Sequence, residues 1–75
     1  MSVYEFCRNN TQAYQLCVIH DSGWIVGTVW IDPEDLFRIP NSLAEAEVIN
    51  TEFGVLPVKT KHGDTVHIPC LHIYT

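Results

Sequence analysis

YQLCVIHDSGWIVGTVWI, residues 14–31, consists of two apolar runs separated by a polar break, and its reading decides the fold. Val, Ile, Tyr, Trp and Leu dominate the runs 14–20 and 24–31, while Asp21-Ser22-Gly23 supplies a turn with glycine where positive φ is easiest. A β-hairpin is therefore expected. With Ser22-Gly23 as a two-residue loop, alternation places Tyr14, Leu16, Val18 and His20 on one face with Ile25, Gly27, Val29 and Ile31. The opposite face then carries Cys17, Ile19, Trp24, Val26, Thr28 and Trp30. A one-residue slip would exchange the faces of one strand. Neither assignment leaves a mainly polar side, so the sheet reads as buried on both sides.

Working outward, Asp32-Pro33-Glu34-Asp35 carries a capping aspartate, proline at the first helical position and acids in the first turn, and Pro40 limits this element to about a turn. Leu36, Phe37 and Ile39 are expected to close one end of the core. Residues 42–53, SLAEAEVINTEF, read as the main helix. Ser42 and Glu45 have capping-box spacing, Gly54 is placed to end the helix, and Leu43, Ala46, Ile49 and Phe53 form one apolar stripe. The other side of that helix presents Glu45, Glu47, Val48, Thr51 and Glu52, a solvated acidic face or a docking surface for a basic partner. A second hairpin is expected over 55–74, turning at His62-Gly63-Asp64, with Pro57 and Pro69 marking an edge position or a bulge in each arm. The opening segment 2–10 suits a short edge strand or a helical turn, and the strand is preferred, with a turn at Asn9-Asn10-Thr11. The expected fold is α+β: an antiparallel sheet of four to five strands built from two hairpins, with the helix 42–53 packed on one face.

The 75 residues suffice for one small domain, 1–75. Nine acids against four Lys and Arg give a formal charge of -5, which argues against a nucleic-acid phosphate footprint. Three widely spaced cysteines do not make a secreted disulfide framework, and neither a basic leader with an apolar core nor a membrane-spanning run is visible. The expectation is a protein of the reducing cytoplasm that does not enter membranes.

Cysteine and histidine invite a metal reading, with Cys70, His72, Cys17 and His20 as candidates. Structural zinc needs four converging ligands, and strand residues three apart point to opposite faces, so Cys17 and His20 would not share an ion. Cys70 and His72 would share a face. Cys70 with His72 or His67 is also the arrangement available for covalent catalysis, but no nucleophile elbow, phosphate loop or dinucleotide fingerprint is present. No cofactor is expected and an enzyme is not.

The strongest functional signal is aromatic. Trp24 and Trp30, flanked by Ile19, Val26 and Cys17, form either a second core or an apolar patch large enough to mark an interface. The expectation is a non-enzymatic protein-binding module that uses Trp24, Trp30, Ile19 and Val26 together with Glu45, Val48 and Glu52. Its partner is a foreign protein, or a second copy docked through the sheet face. The alternatives are a small zinc-binding structural domain and an acidic mimic of nucleic acid, the latter resting on six acids between Asp32 and Glu52 against Arg38. No family motif falls on particular residues. The general layout, a strand pair followed by the SLAEAE helix and further strands, is similar to that of small phage- or plasmid-encoded proteins that bind and inhibit host machinery.

Overall fold

The structure is a computed structural model and describes residues 1–10, 15–31 and 39–75. Its elements in chain order are α1 (Val3–Asn10), β1 (Gln15–Asp21), β2 (Trp24–Ile31), α2 (Asn41–Ala44), β3 (Asn50–Lys59) and β4 (Thr65–Tyr74). The strands make one open sheet in the order β2-β1-β4-β3. Two antiparallel hairpins flank a parallel seam in which Cys17, Val18, Ile19 and His20 lie beside Leu71, His72, Ile73 and Tyr74. The sheet is therefore mixed, which corrects the antiparallel expectation. Turn chemistry specifies each hairpin locally, whereas the direction in which two hairpins join is settled by long-range packing.

In the first hairpin Ser22 and Gly23 both adopt positive φ, 53° and 85°, the backbone of the tight turn that matches strand twist. Asp21 pairs with Trp24 and His20 with Ile25, but Ile19 pairs with Gly27, so Val26 is an extra residue, a bulge. The bulge corrects the expected faces. Trp30 and Thr28 stand opposite Leu16 and Val18, while Gly27 and Val29 stand opposite Ile19 and Cys17.

The helices also differ from expectation. Residues 2–10 form helix rather than edge strand because Ser2 and Glu5 make a capping box: Ser2 Oγ accepts from the Glu5 N–H at 3.2 Å, and Glu5 Oε1 accepts from the Ser2 N–H and hydroxyl. The long helix 42–53 is absent. Only Asn41–Ala44 is helical, without a side-chain cap, and β3 begins at Asn50. Leu43 and Ala46 do pack on the core, but Ile49 and Phe53, of the same expected stripe, are 77% and 76% exposed. Gly54, expected as a helix cap, sits within β3 opposite Cys70.

The second hairpin turns over residues 60–64, where Gly63 has φ 87° and Thr60 N–H donates to the Asp64 carbonyl at 2.8 Å. Its register is unbroken from Asn50↔Tyr74 to Lys59↔Thr65. Pro57↔His67 and Val55↔Pro69 fall at the same parity, so both prolines fit pairs whose N–H groups point away from the partner strand. Each is locally at an edge: β3 is an outer strand, and the parallel ladder between β4 and β1 starts only at Leu71.

Val3, Cys7, Cys17, Ile19, Ile31, Leu71 and Ile73 form the main core, with Phe6, Val29, Leu43, Ala46 and Val48 against it. This is the covered face of the sheet, closed by α1 and the segment 43–48. Burying each such Val or Ile contributes about 1.5–3 kcal/mol. On the open face Leu16, Val18 and Cys70, with Leu56 and Ile68, make a smaller apolar cluster. Ile39 is buried, as expected. The turn expected at 32–37 with Leu36 and Phe37, together with Thr11 and Tyr14, lies outside the described residues. Among the described residues no helix is long and apolar enough to cross a membrane.

Candidate functional site

Two features of the sheet carry chemistry or contact surface, and they lie on different strands. The first is a histidine cluster on the open face. His20 of β1 and His72 of β4 are brought together by the parallel seam, where Val18 pairs with His72 and His20 with Tyr74. His20 Nε2 lies 2.8 Å from His72 Nδ1, and the His20 ring stacks on Tyr74 with centroids 4.6 Å apart.

The partners assign the tautomers. His72 Nε2 is 3.2 Å from the Val55 carbonyl, which only accepts, so that nitrogen carries the proton. In a neutral His72 ring Nδ1 is then the acceptor, and His20 donates to it from Nε2. Cys70 Sγ, 3.4 Å from the same His72 Nε2, faces an N–H and not a basic lone pair. Burial also pushes the Cys70 thiol up. Nothing in this geometry activates Cys70 as a nucleophile. The His72 ring leans across Gly54, where a Cβ would come within 3.1 Å of it. Desolvation first, then the charge of His72, hold His20 below the usual imidazole range.

Of the metal candidates, His20, His72 and Cys70 therefore share this cluster. Cys17 is on the covered face, hydrogen-bonded to Cys7 of α1. That bond, then burial, push the Cys17 thiol up. His72 spends its two nitrogens in different directions, so the three side chains do not converge. Among the described residues no three His, Cys, Asp or Glu side chains are grouped to hold an ion. Sequence reasoning grouped Cys70 with His72 and offered Cys17 and His20 as further members without choosing between them, because the parallel pairing that joins β1 to β4 and sets His20 beside His72 leaves no local signal.

The second feature is the outer strand β2. Trp24 is 76% and Trp30 57% exposed, and Ile25 and Val26 are exposed between them. The register puts Trp24 opposite Asp21 and Trp30 opposite Leu16, on opposite faces of the sheet, because the Val26 bulge intervenes. The expected single aromatic face is thus divided across the strand's two sides. Ile19, expected in that face, is fully buried in the main core. Glu45, Val48 and Glu52 share no helix face. Glu45 closes α2, Val48 is half-buried against the core, and Glu52 pairs with His72 on the open face.

Along β2 runs a cavity of about 440 Å³, lined by residues 26–30 together with Pro40 and Leu43. Leu43 closes down on the sheet at Gly27, where a Cβ would stand only 2.7 Å from Leu43 Cδ1, so glycine is what admits it. Residues that stand on both faces of β2 line the cavity. Among the described residues β2 pairs with β1 alone. The strand from Trp24 to Ile31 contains no charged residue and no proline. The other outer strand, β3, carries Glu52, Pro57 and Lys59, the usual protection of an exposed edge.

Fold and site together define a small α+β protein with a mixed four-stranded sheet and an aromatic outer strand, β2, that among the described residues pairs with β1 alone. Compared with protein-family models, with curated proteins and with solved structures, the chain matches none.

Proposed function

We propose that this chain is a non-enzymatic protein-binding module whose contact surface is β2. The observation that carries the reading is the exposure of Trp24, Ile25, Val26 and Trp30 along one uncharged outer strand. A domain of this size gains most of its stability by covering its large apolar side chains, and Trp is the residue type most enriched where binding energy concentrates. The histidine cluster does not support an enzymatic alternative, since its hydrogen bonds satisfy His72 at both nitrogens. The similarity in layout to small inhibitor proteins, a strand pair followed by an SLAEAE helix and further strands, is not what this reading rests on, since helix is formed only over Asn41–Ala44 and β3 starts at Asn50.

The test compares wild type with Trp24→Ser, Trp30→Ser in affinity capture from an extract of the source cells, with thermal melting of both proteins alongside. A protein retained in stoichiometric amount by wild type and lost from the variant, at unchanged melting temperature, supports the reading. Equal retention by both, or unfolding of the variant, sinks it, since Trp24 and Trp30 would then be irrelevant to contact or needed for the fold.

A further inference from the structure

We propose that Cys7 and Cys17 form a dithiol–disulfide couple that locks α1 onto β1 when a low-molecular-weight disulfide, such as oxidised glutathione, acts as the oxidant. The couple operates whether or not β2 is the contact surface. Both side chains are buried in the main core, Cys7 1% and Cys17 0% exposed, and a hydrogen bond joins them across the interface between helix and sheet. Both are present as thiols. A hydrogen bond between thiols directs one sulfur at the other, the arrangement from which a disulfide closes by approach of the two atoms. Cys70 can pair with neither, because it lies in the cluster of the open face with the sheet between. Of the three pairings that three cysteines allow, the fold leaves one.

The same hydrogen bond gives the two cysteines different parts. It holds the Cys7 thiol below the usual range, against the opposing effect of burial, and pushes the Cys17 thiol up, with burial adding to the rise. Cys7 is therefore the thiolate that attacks the small disulfide, expelling one of its sulfurs and leaving a mixed disulfide on α1. Cys17 then attacks the Cys7 sulfur and expels the second. The Cys7 proton ends on the first released thiol and the Cys17 proton on the other, so the protein loses two electrons and two protons and the oxidant gains both. The oxidant reaches buried sulfur when α1 opens. Eight residues are few for a helix to persist by itself, and its first turn rests on the Ser2–Glu5 capping box. Once the disulfide has closed, α1 can no longer leave the sheet.

The test equilibrates the wild-type protein with reduced and oxidised glutathione at graded ratios, quenches with an alkylating agent, and reads intact mass and tryptic peptides. Cleavage after Arg8, Arg38, Lys59 and Lys61 leaves each cysteine in its own peptide, residues 1–8, 9–38 and 62–75, so every pairing has a distinct signature. The expected product is a monomer lighter by two hydrogens, with 1–8 linked to 9–38 and Cys70 alkylated, and dithiothreitol restores the starting mass. The link is expected to form at an oxidant ratio about tenfold or more lower in the native protein than in the urea-unfolded chain, because the fold holds the two sulfurs together. In hydrogen exchange the oxidised form is expected to slow the amides of α1 by about tenfold or more.

No link at any ratio, glutathione adducts that persist on Cys7 or Cys17 in its place, or a link that includes Cys70 would each overturn the couple. So would a link that native and unfolded chains form with equal ease, and unchanged exchange in α1 would overturn the lock. Cys17→Ser is expected to trap Cys7 as its mixed disulfide about tenfold or more faster than Cys7→Ser traps Cys17. Equal rates would overturn the order of attack. The wild-type peptide map decides the link whether or not these variants fold.

Discussion

His20 and His72 approach through ring nitrogens 2.8 Å apart, and two imidazolium ions would not hold that contact. Around the pair the open face supplies Cys70, Tyr74, the carbonyl of Val55 and, opposite His72, the carboxylate of Glu52. Desolvation and the neighbouring ring depress His20 in the folded protein below its unfolded value near 6.5. The unfolded chain therefore takes up this proton more readily than the folded one. The associated stability is complete above about pH 6.5 and is lost as the pH falls below it. The urea midpoint is expected to drop between about pH 7.5 and pH 5.5 by more in wild type than in His20→Gln. Parallel midpoints for the two proteins would show that the pair has no such role. His20 is partly exposed, so the effect is a fraction of the whole stability.

At the scale of elements, α1 depends on one local device. Removing the Ser2 hydroxyl in Ser2→Ala breaks the capping box and is expected to cost about 1 kcal/mol, read as a lower urea midpoint with reduced helical circular dichroism. Unchanged stability would mean that packing of Val3 and Cys7 alone sets the helix. The same spacing, Ser42 with Glu45, produced no capping box and only one short helix. The difference lies in the residues next in the chain. After Ser2 the buried residues Val3 and Cys7 recur at helical spacing, whereas Ile49, Thr51, Phe53 and Val55 also alternate as a strand does, and β4 is present to pair with them. Periodicity alone does not separate the two readings; the hydrogen-bonding partner does. Both hairpins and their turns were legible because Gly23 and Gly63 occupy positive φ. The Val26 bulge was not, since it arises from how β2 adapts to β1, and with it went the grouping of Trp24 with Trp30. The exposure of both tryptophans was foreseeable as one of two outcomes, and the structure selects it.

At the scale of the whole molecule, the sheet is unevenly supported. α1 and residues 43–48 cover one face, the seam between β1 and β4 is short, and from Thr65 to Cys70 the described partner of β4 is β3 alone. A two-stranded ribbon is only marginally stable by itself in water. Amides around Val58 and Val66 are expected to exchange with solvent through local opening well before those of Val18, Ile19, Leu71 and Ile73, in native-state hydrogen exchange. Uniform protection across both groups would mean that the ribbon opens only with the whole fold. The seam has a further consequence for how the chain assembles. Each hairpin is closed by contacts between near neighbours in sequence, but Cys17 reaches Leu71 across most of the chain. Forming this seam therefore carries the loop-closure entropy of a long stretch of chain, a cost that neither hairpin turn incurs. On a ribosome the midline of the sheet cannot close until β4, the last strand in the chain, has been synthesised, so β1 waits for its second neighbour through most of translation.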